Sequence, residues 1–292
     1  MLLPFKRELD TGDIIHYLTH ETRTGIACIN IKGRFGPEID FSPLAELESL
    51  CEITLRPDYS PKYESLPSLE SLESLKGKLE KFSVIYEDEC SQKIDLKGIE
   101  HLSKLTRFSL DWDENPPYQD YTFDPDLTPV SNLQKLEEIS LWGYFTDLDL
   151  SPLSSCSSLK DISLGNYRPY KSIKFPTSKS LESIGFHNTT LTDDDTLFDL
   201  DLEPLRHCTG LRSLYIRPLN VKQIDVTPLL GHPSLRELNL GPIGHPPPKQ
   251  SWRDLNVVAD ASRLDEVDKI PWGPWGHISG ETKRQRVEIH PI

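Results

Sequence analysis

The thiols of Cys156 and Cys208 are the first groups in this chain to test for covalent chemistry, because a cysteine becomes a nucleophile or redox centre once it ionises. Each stands three residues before a leucine, Leu159 or Leu211, in a recurring pattern whose other copies carry Leu47, Leu102 and Leu133 at that place. The pattern predicts that both are small buried hydrophobes. Cys28 falls on a predicted strand and Cys90 in a predicted loop, and neither has a partner at catalytic or metal-binding spacing. G-x-G-x-x-G, P-loop, H-E-x-x-H and G-x-S-x-G motifs do not occur, and the histidines are scattered. The run Asp193, Asp194 and Asp195 has the oxygen chemistry for Ca²⁺ but not the spaced D-x-D-x-D-G arrangement of a calcium loop. The expectation is a protein that is not an enzyme and has no metal, no cofactor and no catalytic residues.

The residues that suit recognition are more numerous. DWDENPPYQDYTFDPD (111–126) carries six acidic residues and no basic one, and HNTTLTDDDTLFDLDLE (187–203) also carries six acids and no Lys or Arg. Asp126, Asp149 and Asp201 belong to a repeated turn and are expected to bond locally. That leaves Asp111, Asp113, Glu114, Asp120, Asp193, Asp194 and Asp195 on predicted loops, with Trp112, Tyr118, Trp142, Tyr144 and Tyr167 interleaved. Aromatic residues supply buried anchors in protein interfaces, and carboxylates steer a basic partner.

The elements that must position these residues are written as a repeat. Leu-x-x-apolar-x-apolar recurs as LCEITL from Leu50, LEKFSV from Leu79, LTRFSL from Leu105 and LEEISL from Leu136. It continues as LKDISL from Leu159, LESIGF from Leu181, LRSLYI from Leu211 and LRELNL from Leu235, with IACINI from Ile26 as a ninth candidate. Successive starts lie 22 to 31 residues apart. A second motif precedes most of these strands: IDFSPL (39–44), LDLSPL (148–153), LDLEPL (200–205) and IDVTPL (224–229), with weaker copies IDLKGI (94–99) and DLTPV (126–130). Ser42-Pro43, Thr128-Pro129, Ser151-Pro152 and Thr227-Pro228 read as a hydroxyl N-cap followed by Pro at the first helical position, where its missing N–H costs nothing. Each repeat is therefore predicted as a short helical or 3₁₀ turn and a short strand.

A single repeat cannot bury its leucines, but stacked neighbours make a continuous core. These repeats resemble the leucine-rich repeat family, and the D-L-S-P-L form is similar to its internalin-like bacterial subclass. The usual Asn after the strand is clear only at Asn166 and Asn188. The resemblance implies an α/β solenoid: a leucine-rich repeat horseshoe with a concave parallel sheet, short helical or 3₁₀ turns on the convex side, and terminal caps. The expected division is an N-terminal cap at 1–25, the solenoid at 26–242 and a C-terminal cap at 243–292, with Trp272 and Trp275 packed in the last. Side chains alternate along a strand. One row, Thr54, Ser83, Ser109, Ser140, Ser163, Gly185, Tyr215 and Asn239, should thus line the concave face, with His187 beside it and Arg217 adding specificity at the end bearing Tyr215 and Asn239.

Composition narrows the classes of function. Over 292 residues the formal charge is −14, with 36% hydrophobic and 27% charged residues, 24 Pro and one Met. A sequence pI near 5.1 disfavours nucleic acid and anionic membranes as partners and favours a basic protein. The N-terminus lacks a signal-peptide pattern, apolar runs fall short of a membrane span, and the five cysteines suggest a reduced setting, so a cytoplasmic monomer is expected. The leading expectation is a non-enzymatic protein-binding module, in its specific form an acidic immunity or inhibitor protein that blocks a cationic toxin or nuclease. The alternatives are a regulatory adaptor or scaffold subunit for an endogenous enzyme and an internalin-like surface adhesin.

Overall fold

The computed structural model describes residues 2–4, 25–33, 40–57, 69–86, 95–112, 124–166, 171–188, 198–217, 221–240, 256–259 and 289–291. Asp113, Glu114, Tyr118, Asp120, Tyr167, Asp193, Asp194 and Asp195 lie outside these residues, as do Cys90, Trp272, Trp275 and most of 1–25 and 243–292. The chain divides into two compact units, one of residues 1–144 and 155–159, the other of 145–154 and 160–292.

The first unit holds strands β1 (Leu2–Pro4), β2 (Cys28–Gly33), β3 (Glu52–Pro57), β4 (Lys81–Tyr86), β5 (Arg107–Trp112) and β6 (Glu138–Gly143). Each pairs in parallel with the next, in chain order. The register aligns equivalent repeat positions without slippage: Ile53, Phe82, Phe108 and Ile139 face one another in one row, and Leu55, Val84, Leu110 and Leu141 in the next. All eight side chains are at most 2% exposed. Phe82 and Phe108 stack with ring centroids 6.4 Å apart and planes 10° from parallel.

In the second unit, β8 (Asp161–Asn166), β10 (Ser183–Asn188), β12 (Ser213–Arg217) and β14 (Glu237–Leu240) repeat the arrangement. Ile162, Ile184, Leu214 and Leu238 form its buried row. Two further parallel ladders precede the turns in this unit. β7 (Asp147–Asp149) pairs with β9 (Ser172–Lys174), and β11 (Phe198–Leu200) with β13 (Val221–Asp225). From β13 the ladder continues to β15 (Asn256–Ala259) and β16 (Ile289–Pro291). The apolar–acid–apolar alternation of L-D-L and I-D-V is the signal for these ladders, and it lies inside the motif read above as a turn alone.

Among the described residues, apart from the single α-helical position Gly25, the helical elements are seven 3₁₀ turns of three to six residues. Their closure is i→i+3, as in Leu44 N–H to Phe41 O at 3.0 Å and Val130 N–H to Leu127 O at 3.0 Å. The capping differs from the sequence expectation. In the turns at Ser42–Glu46, Thr128–Asn132 and Thr227–Leu229 the hydroxyl residue is the first of the turn, Pro is the second, and no side chain caps from the preceding residue. A hydroxyl at the first position faces a proline with no N–H to donate. The carboxylate two residues earlier does the capping instead. Asp40, Asp95, Asp126, Asp149, Asp201 and Asp225 each accept, on Oδ1, the N–H of the residue two further on, at 2.8–2.9 Å.

The weaker copy IDLKGI obeys the same logic with a different residue. Gly98 stands where other copies have Pro, at φ +105°, and a Cβ there would run into the backbone of Leu69 and Glu70, so only glycine fits. Neighbouring repeats are also tied through orphan carbonyls. Lys78 Nζ donates to the carbonyls of Ala45 and Leu47, and Gln134 Nε2 to that of Ser155. In the second unit His232 fills this role: its Nδ1 accepts the N–H of Leu235 at 3.2 Å, which leaves Nε2–H to donate to Cys208 O at 3.1 Å.

Leu159 and Leu164 are fully buried. Leu159→Ala or Leu164→Ala should cost about 2–5 kcal/mol by leaving a core cavity, measured by chemical denaturation; a loss below about 1 kcal/mol would contradict the inward placement. Asp126 tests the turns: its bonds from the Thr128 hydroxyl and N–H hold its carboxyl below the ordinary value. A group depressed in the fold contributes above its unfolded value and loses that contribution as pH falls through its folded one. Asp126→Ala should cost about 0.5–1 kcal/mol near neutral pH, with the gap to the wild type closing in acid when denaturation is repeated there.

Candidate functional site

The thiols come first, since they could carry chemistry. Cys156 and Cys208 are fully buried, and their Sγ–H groups point at the carbonyls of Val130 and Pro176, both at 3.4 Å. Burial pushes the Cys156 thiol up to about 11 and also raises that of Cys208, against a weaker bond from the Ser178 N–H. Both therefore stay protonated near neutral pH and serve as core residues, as their repeat position predicts. Cys28 is exposed on β2; its thiol is raised by burial first and then by Glu52. His232 is committed to the backbone, and burial lowers its value. Among the described residues no group of three or more His, Cys, Asp or Glu could hold a metal ion.

The faces of the strands that point away from the core carry three rows, each set by register. The first row pairs charges across strands: Lys81 with Glu52 at 3.3 Å and Arg107 with Glu138 at 2.9 Å. The second is the small-residue row. Thr54, Ser83, Ser109 and Ser140 align in the first unit, and Ser163, Gly185, Tyr215 and Asn239 in the second. Except for Asn239, which is 8% exposed and donates to Glu237 at 3.4 Å, these residues are partly exposed.

The third row carries the larger side chains. In the first unit Ile85, Asp111 and Trp142 are consecutive, all partly exposed. In the second, Gly165, His187 and Arg217 align. His187 and Tyr215 meet with ring centroids 4.9 Å apart at 32°. Gly185 leaves room for it: a Cβ there would come within 3.1 Å of His187 Nε2, and the imidazole would have to give by a few tenths of an ångström.

The sequence-derived site is thus partly assembled. Asp111 and Trp142 are neighbours in the first unit, and His187 and Tyr215 are neighbours in the second, with Arg217 on the strand beside His187. Tyr144 follows β6 and is partly exposed. Trp112 departs from the expected rim: one step past Asp111 the alternation turns it to the core side, where it is 8% exposed and stacks on Tyr86 at 4.4 Å. The partly exposed apolar Ile85 was missed; its strand position, two after Ser83, was the available signal.

Asp111 differs from the acids of the first row. Burial raises its carboxyl above the ordinary aspartate value, a bond from the Ser109 hydroxyl offsets this only in part, and among the described residues no Lys or Arg does so.

No protein-family model matches the sequence, and no curated protein matches it. Solved structures do. Internalin C2 of Listeria monocytogenes is similar at 16% identity over 76% of this chain and 84% of that one, with a TM-score of 0.41. A leucine-rich repeat protein of Leptospira interrogans is similar at 16% identity over 95% and 71%, with a TM-score of 0.42. A chain of the Drosophila Toll–Spatzle complex is similar at 13% identity over 90% of this chain and 38% of that one, with a TM-score of 0.41. These likenesses concern the fold alone. The chain's own repeats, in-register parallel strands and 3₁₀ turns are those of a leucine-rich repeat solenoid of the α/β class, with the D-L-S-P-L turn of the internalin-like type.

Asp111→Asn should raise stability near neutral pH. A carboxyl whose folded value lies above its unfolded one penalises the fold increasingly as pH climbs between the two values, and fully beyond the folded one. The gain should shrink towards zero as pH is lowered through that window, read by thermal denaturation at several pH values. A lower melting temperature for the variant near neutral pH would mean that the Ser109 bond outweighs the burial.

Proposed function

We propose that this chain is a non-enzymatic protein-binding module that receives a basic protein partner on the outward face of its strands and on the acidic stretches 111–126 and 187–203. The observation that carries this reading is the composition of that face. In the first unit small hydroxyl residues admit a close approach, Ile85 and Trp142 offer partly exposed hydrophobic area, and Asp111 offers a carboxylate not offset by a cation among the described residues; in the second unit Tyr215 is partly exposed on its own strand. An enzyme would need titratable groups gathered and poised, whereas the thiols of Cys156 and Cys208 and the imidazole of His232 are spent on packing and backbone bonds.

In its specific form the module is an immunity or inhibitor protein for a cationic toxin or nuclease, its carboxylates standing in for substrate phosphates. The net charge of −14 supports this form by favouring rapid, steered association with a basic surface. Free Cys28, Cys51, Cys156 and Cys208 support a reducing, cytoplasmic setting. No helix among the described residues is long and apolar enough to cross a membrane.

Affinity capture from native lysate at low salt, repeated at several-fold higher salt, tests the proposal. A basic protein should be retained at low salt and weakened about tenfold or more at high salt. Simultaneous neutralisation of Asp113, Glu114, Asp193, Asp194 and Asp195 should weaken it comparably. A complex indifferent to both changes would overturn the basic-partner reading and favour an adaptor held by apolar contacts.

A further inference from the structure

Ile85, Asp111 and Trp142 occupy consecutive positions across three adjacent strands. Adjacent strands lie about 4.8 Å apart, so Ile85 and Trp142 flank the carboxylate across a span of roughly 10 Å. Beside them run Ser83, Ser109 and Ser140, small enough to leave room above the sheet. Nearby charges on the same face are already matched: Arg107 with Glu138, and Lys81 with Glu52. We infer that Asp111 and Trp142 form a subsite for one arginine side chain of the protein partner, the guanidinium lying on the indole face and donating to the carboxylate.

Several features fit arginine. A planar guanidinium covers an indole at the distance that one strand spacing sets, and its edge carries the donors that a carboxylate accepts. It is less strongly hydrated than an ammonium, so a half-buried carboxylate flanked by Ile85 and Trp142 takes it at lower desolvation cost than a lysine. The Ser109 hydroxyl donates to Asp111 and leaves further acceptor capacity on the carboxylate for the incoming cation. Burial of Asp111 adds to the argument, because a cation arriving from outside would relieve the penalty that the fold sustains there.

This subsite rests on the partner reading above, and its test can fail separately. The probe is acetyl-Gly-Arg-Gly-amide, titrated into the full ¹⁵N-labelled chain while the indole N–H of Trp142, assigned through Trp142→Phe, is followed by NMR. A saturable shift is expected. The citrulline peptide, matched in shape but neutral, should give none, and the lysine peptide should bind more weakly. Asp111→Asn should weaken the arginine peptide about tenfold or more. Glu48→Gln, which removes one exposed charge elsewhere in the same unit, should leave it unchanged.

An indole signal that does not move, equal affinity in Asp111→Asn, or equal binding of the citrulline peptide would each overturn the subsite, whatever the salt-dependent capture shows. A seated peptide with no basic protein captured would overturn the partner reading and leave the subsite in place.

Discussion

Parallel pairing in strict register is the constraint on which everything else in this protein depends. Parallel strands bond evenly along their length, and a shift of one residue would move every side chain to the opposite face. Here Phe82 faces Phe108 and Ser83 faces Ser109, so a motif repeated along the chain becomes a row repeated across the strands. The leucines merge into one core within each unit, and the intervening positions merge into outward rows. Core and candidate site are two faces of the same alignment.

Holding that register requires each return segment to end at a fixed place, and the aspartate turns supply the stop. An Asp carboxylate takes the first N–H of the 3₁₀ turn, Pro at the second position has none to offer, and the i→i+3 bond closes what remains. Where a copy lacks this chemistry, another residue replaces it. Gly98 adopts a positive φ in place of Pro, and Lys174 stands where a neighbouring copy has its aspartate and pairs with Asp149 at 3.2 Å. Side chains such as Lys78, Gln134 and His232 then satisfy carbonyls of an adjacent repeat, and this couples one turn to the next.

The repeat was legible because its signals are local and recur. Leu159, Ile162 and Leu164 announce a strand and its buried face, and Cys156 is recognised as a core residue by position alone. The capping was misread because Ser-Pro is an ordinary helix start, while the carboxylate that performs the task lies two residues upstream. Trp112 was misplaced for a related reason: an aromatic between two aspartates looks like a rim residue until the strand is known to extend through it. The pairing of β7 with β9 and of β11 with β13 was hidden inside the turn motif. The ring contact between His187 and Tyr215 joins residues 28 positions apart beside the small Gly185, a relation that no local pattern carries.

Asp111 illustrates how function can be separated from folding in such a repeat. Glu52, Glu138 and Glu182 are each met by a Lys or Arg from an adjacent strand or strand entry, so their charge assists the stacking of repeats. Asp111 occupies the same face, two residues after a serine shared by its neighbours, yet folding leaves its charge at a disadvantage. Packing alone would favour a neutral residue there. Sequences agree with their folds at most positions and depart at the places where something else is asked of them. On this face the departure lies between Ile85 and Trp142, where a cation from a partner would restore the balance that no described Lys or Arg restores.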